Sequence, residues 1–210
     1  GFGRLDSILM LISCSTNTIP GKTSSEEKHS RPLRNSDRIQ MKYGSYGIDI
    51  IENGNKIRVS NLYSTDNGVK TNRTFAVVAF PDIIETAFKT EHQSVINGQS
   101  IGVVFAKNGW EIQKHHLYFG EIEMPTEHYG DHSLFSDIGT GQPAIHIYSL
   151  VVAKDNSEFE YAAIAEVHHP DFLQLEDLQA IYGQGSNSKL APDASVLNFL
   201  EIVRSKIQGL

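Results

Sequence analysis

The chain of 210 residues has a single cysteine, so neither an internal disulfide framework nor a multi-cysteine metal site is available to it. Basic residues are outnumbered, with 18 Lys and Arg against 25 Asp and Glu, for a formal charge of −7. A general nucleic-acid binder needs a basic surface to displace counterions, and this composition argues against one. Long apolar runs are missing too. Ile8 to Ile12 spans five residues between Asp6-Ser7 and Ser13, far short of the roughly 18–20 that cross a bilayer. What remains is an ordinary globular composition, 40% hydrophobic and 9% aromatic, with the length of one domain plus a tail.

The run at Ile8 to Ile12 follows Arg4 and gives way at once to Ser13-Cys14-Ser15-Thr16, the polarity change of a secretory segment's end. Leu11-Ile12-Ser13-Cys14 resembles a bacterial lipobox. The resemblance implies acylation of the Cys14 thiol, cleavage before it and acylation of the new amino terminus, leaving residues 1–13 as a signal-peptide remnant. Ser15 after the cysteine implies the outer membrane rather than the inner. A buried cysteine in an N-terminal helix is the competing reading. Ser15 to Asp37 holds only Ile19 and Leu33 as large apolar residues, the composition of a polar linker over 14–37. Charge divides with the chain: residues 1–44 carry seven basic and four acidic side chains, the rest eleven and twenty-one. A basic tether on an acidic body suits anionic head groups as a partner.

Residues 38–210 read as a single α+β domain, an antiparallel sheet of about six or seven strands with about three helices on one face. Tyr46, Ile48 and Ile50, then Ile57, Val59 and Tyr63, alternate around Glu52-Asn53-Gly54-Asn55 as a hairpin. Asp66-Asn67-Gly68 is a turn, and Phe75 to Phe80 a strand buried on both faces. Asp82 with Glu85 suggests a helix start, stopped at Asn97-Gly98. Ile101, Val103 and Phe105 suggest a strand turning at Asn108-Gly109 into a return strand from Trp110 to Phe119. Two more strands fall at 144–153 and 158–167, a short helix around Leu178, and an amphipathic helix through Val196, Leu200, Val203 and Ile207.

No motif specifies chemistry. Gly98-Gln99-Ser100-Ile101-Gly102 has the letters of a nucleophile elbow but follows a helix instead of a strand. Gly183-Gln184-Gly185-Ser186 lacks the strand-loop-helix context of a phosphate loop. The histidines are the better lead: His115-His116 in a strand, His128 and His132 in an irregular stretch from Glu123 to Gln142, and His168-His169 at a strand end. Adjacent strand residues face opposite ways, so each pair offers one imidazole to a site. Candidate catalytic residues are therefore His116, His128, Asp131, His132 and His168; no cofactor or metal is assigned. Tyr43, Tyr46 and Tyr63 are candidates for a binding face.

The leading expectation is a non-enzymatic envelope lipoprotein, a lipid-tethered module binding an unidentified protein or small molecule. The alternative is a periplasm-facing hydrolase or metal-dependent enzyme using the histidine-rich 123–142 stretch. Mass spectrometry of the membrane fraction tests the anchor. Acylated Cys14 is expected, with Cys14→Ala released to the soluble fraction; unmodified Cys14 in soluble wild-type protein refutes it.

Overall fold

The computed structural model describes residues 33–123, 142–183 and 192–209. Its elements run α1 (Asn35–Tyr43), β1 (Gly47–Asn53), β2 (Ile57–Asp66), β3 (Val69–Ala79), a 3-10 turn (Thr86–Phe88), α2 (Lys89–Ile96) and α3 (Ile101–Lys107). They continue with β4 (Glu111–Glu121), β5 (Ala144–Lys154), β6 (Ser157–His168), α4 (Leu175–Tyr182) and α5 (Ala194–Gln208). The six strands form one antiparallel sheet in the order β1-β2-β3-β6-β5-β4. The α+β class and antiparallel sheet expected from the sequence are present.

Local chemistry explains the tight connections. Asn67 and Gly68 both take positive φ between β2 and β3, as do Asp155 and Asn156 between β5 and β6. Two such residues match the twist of the flanking strands in a two-residue hairpin. Asp193 caps α5 by accepting a hydrogen bond from the Val196 amide at 2.9 Å.

Several expectations need correction. Ile101, Val103 and Phe105 lie on a helix, α3, and not on a strand. Their alternation coincides with a second pattern: Val104 and Phe105 are buried with Ile101 packed beside them, a helical spacing, while Val103 is 51% exposed. Asn108-Gly109 stops this helix. Gly109 has φ +82°, and the Gly109 and Trp110 amides donate to the Ala106 and Phe105 carbonyls, a Schellman ending. The return strand β4 accordingly pairs with β5. Asp82 does not start a helix, since its carboxylate pairs with Lys56 at 2.5 Å and helical structure begins at Thr86. At the front, α1 begins at Asn35, a buried residue, ahead of the expected boundary at 38.

The described helices also cover both faces of the sheet, not one. On the first face, Val196, Phe199, Leu200, Val203 and Ile207 of α5 pack on Phe75, Val77, Ile145 and Ile147. On the second face, the layer is split. At one end, Phe88, Val95, Val104 and Phe105 pack on Val78, Leu150 and Tyr161. The aromatic rings there meet edge-on or tilted, as with Phe88 and Tyr161 at 5.3 Å, a geometry their quadrupoles favour. At the other end, Ile39 of α1 and Leu178 of α4 pack with Ala144, Phe172 and Leu62.

Phe199 is fully buried and Leu197 on the same helix is 48% exposed. Phe199→Ala is expected to cost about 3–5 kcal/mol in urea unfolding, and Leu197→Ala within about 0.5 kcal/mol of nothing. Equal effects would contradict the packing of α5.

Candidate functional site

Between the two helical patches on the second face lies a cavity of about 920 Å³. Its floor is the sheet, and the register shows which side chains supply it. One row across the strands runs Arg58, Val78, Ile164, Tyr148 and His116. The next runs Ser60, Ala76, Glu166 and His146. Ser60, Ala76 and Val78 are short, so the central strands leave space where larger residues would reach the helices. The start of α1 (Leu33 to Ser36) and the α3 residues Ile101 and Gly102 wall one side. Trp110 stands at another, with its indole N–H donating to Glu91 at 3.2 Å.

A polar network crosses this floor. The Tyr148 hydroxyl donates to Glu166 Oε1 at 2.5 Å, and Glu166 Oε2 lies 3.6 Å from His168 Nε2. Burial, with the Glu166 charge beside it, holds the Tyr148 phenol well above its ordinary range, so it remains a donor. His168 Nδ1 meets Thr74 Oγ1 at 2.9 Å, and the Asn35 side-chain amide donates to the same hydroxyl at 2.9 Å. Nucleophile-type hydroxyl, imidazole and carboxylate thus stand in sequence. Thr74 is fully buried, however, and is not among the cavity's lining residues. A hydroxyl that no substrate reaches is a structural partner.

His116 Nδ1 and His146 Nε2 are 2.8 Å apart. One nitrogen must be bare to accept, so the two rings cannot both be protonated. His146 is fully buried, with its ring stacked against Phe119 at 4.7 Å and Tyr182 at 4.8 Å. Burial first, then the charge of Lys114, holds His146 well below its ordinary range and lowers His116 as well. The β-bulge between His116 and Tyr118 lets both His116 and Phe119 meet His146.

The sequence-named residues therefore divide. His116 lines the cavity, while His168 lies on the same sheet face but is 1% exposed. His128, Asp131, His132 and Cys14 lie outside the described residues. His169 is also buried and accepts from the Asp171 amide at 3.0 Å. Among the described residues, no group of three or more His, Cys, Asp or Glu is placed to hold a metal. Ser100 lies at the start of α3 and lines the cavity; a helix follows it, yet the strand that an elbow requires before it is absent. Tyr46 reaches the cavity, whereas Tyr43 packs under Arg73 at 3.6 Å and Tyr63 under Lys70 at 4.3 Å.

Sequence reasoning missed Arg58, Lys114, His146, Tyr148 and Glu166. The available signal was Glu166 and Arg58 in otherwise apolar strand context, Ala165-Glu166-Val167 and Ile57-Arg58-Val59. No protein-family model matches the chain, and no curated protein matches it.

Burial lowers the His168 imidazole from its ordinary 6.5 to about 4, against the pull of Glu166 and with a further push from Lys114. The unfolded chain takes up this proton near pH 6.5, so between about 4 and 6.5 the unfolded state binds more protons. Stability from this residue is complete above about pH 6.5 and is lost as the pH falls towards 4. Urea unfolding at stepped pH is expected to show that decline, with a shallower slope in His168→Asn. An unchanged slope in the variant would exclude His168 as the source.

Proposed function

We propose that the chain is a membrane-tethered binding module whose body holds a small, largely apolar molecule in the sheet cavity. The observation that carries the reading is the cavity itself. At about 920 Å³ it falls within the size range of small-molecule sites, roughly 300–1,000 Å³. Apolar side chains, including Ile48, Leu62, Ile101, Ile112 and Leu150, make up much of its wall, beside polar and charged groups such as Arg58, Lys114, His116 and Glu166. Such a lining desolvates an apolar ligand and orients it through the polar groups.

The lipobox resemblance at Leu11 to Cys14 and the polar stretch to Asp37 support the tether, and with it an outer-membrane location facing the periplasm. No described helix is long and apolar enough to cross a membrane, so attachment in this reading rests on the acylated cysteine. The reading as a hydrolase or metal-dependent enzyme stays second. Of its candidates among the described residues, His116 and His168, His116 lines the cavity.

Trp110, the single tryptophan, lines the cavity and reports on occupancy. Titration with 1-decanol is expected to shift its emission saturably. Ala76→Leu, which fills the floor, is expected to weaken binding at least tenfold while the protein melts cooperatively. No saturable response in the wild type, or equal affinity in the variant, would refute the cavity reading.

A further inference from the structure

The cavity's charged groups are not equivalent. Arg34 is engaged by Asp37, donating to it from Nε at 3.3 Å. Glu166 accepts from Tyr148, and Lys114 stands 4.7 Å from the Tyr148 ring and 5.5 Å from that of Tyr182. Glu111 is exposed at the margin.

Arg58 differs from all of these. It is 3% exposed, and among the described residues it forms no ion pair. Its hydrogen bonds there use Nη1 alone, to the Gln99 carbonyl at 2.7 Å and the Val95 carbonyl at 3.5 Å. A guanidinium offers five N–H donors in a planar fork and does not give up its proton in proteins. Burial works against its charge, and the ionisable groups that bear on it are the phenols of Tyr46 and Tyr161. A buried cation whose partners are two carbonyls keeps donors for an anion, and Arg58 lines the cavity.

The floor sets the shape of the occupant. Arg58 on β2 and His116 on β4 end one row, with Val78, Ile164 and Tyr148 between them. Four strand spacings separate those ends, roughly 19 Å at about 4.8 Å each. A cavity of about 920 Å³ drawn out over that distance is narrow, suited to an extended chain.

We propose that the cavity binds an elongated apolar molecule ending in a carboxylate, with the carboxylate on Arg58 and the chain lying across Val78 and Ile164 towards β4. This rests on the cavity reading above and names its ligand class. A bidentate carboxylate suits the guanidinium fork, and the further positive charges in the lining, on Lys114 and on the Asp37-paired Arg34, do not favour a cationic head.

The test uses the full chain, Trp110 emission and three probes of one chain length: decanoate, its methyl ester and decylamine. Decanoate is expected to bind about tenfold tighter than the ester, the order of one charge-assisted hydrogen-bonded contact, with decylamine weakest. Arg58→Gln is expected to bring decanoate to the ester's affinity and leave the ester unchanged, while Arg58→Lys keeps part of the preference. Ester and decanoate binding equally in the wild type would overturn the carboxylate assignment and leave the cavity reading standing. A preference that survives in Arg58→Gln would overturn the role of Arg58. No binding by any probe would overturn both readings. The wild-type comparison needs no variant, so it decides the ligand class even where Arg58→Gln fails to fold.

Discussion

Burial of the central strands on both faces is the constraint from which the rest of this structure follows. β3 and β6 lie in the middle of the sheet, and from Thr74 to Ala79 and Tyr161 to His168 every residue is buried. Alternate side chains must therefore be satisfied by two different layers. On the face of α5 the solution is uniform apolar packing. On the other face, Thr74, Glu166 and His168 replace apolar residues at one end of the same strands. Buried polar groups of this kind are costly unless hydrogen-bonded. That requirement ties together Asn35, Thr74, His168, Glu166 and Tyr148, and it fixes α1 against the sheet through Asn35.

The cavity is a product of the same division. Small side chains at Ser60 and Ala76 separate the aromatic patch under α2 and α3 from the cluster under α1 and α4. Neither patch extends over the middle. Helix endings contribute as well, because the Schellman closure at Gly109 turns the chain so that Trp110 enters the wall and β4 begins immediately. The carbonyls of Val95 and Gln99, near the end of α2, hold Arg58 at the cavity's side.

Where periodicity was unambiguous, the sequence was legible. Alternation identified β1 and β2, the strands expected over 144–153 and 158–167 are β5 and β6, and Asn67-Gly68 marked the β2–β3 turn. The stripe through Val196, Leu200, Val203 and Ile207 identified α5. Ile101 to Phe105 failed because five residues fit both a 2.0 and a 3.6 period, and Asn-Gly serves a hairpin and a helix stop equally. The site was less legible than the fold. His116 was found by its residue type, but Arg58, Tyr148 and Glu166 sit singly on β2, β5 and β6. The β5–β6 hairpin brings Tyr148 and Glu166 to one floor, but Arg58 joins them only through the long-range pairing of β3 with β6, which no local turn specifies.

The seam between β3 and β6 has a further consequence. β1, β2 and β3 are joined by short turns, and β5 and β6 by another. The pairing of β3 with β6 instead joins residues such as Thr74 and His168, 94 positions apart. The longest loop closure in the sheet therefore falls on this contact line, with the β4–β5 connection over 122–143 the next longest between paired strands. The same line carries the Thr74–His168 bond and Glu166 opposite Ala76, so the most costly closure in the chain's topology is the one that assembles the polar floor.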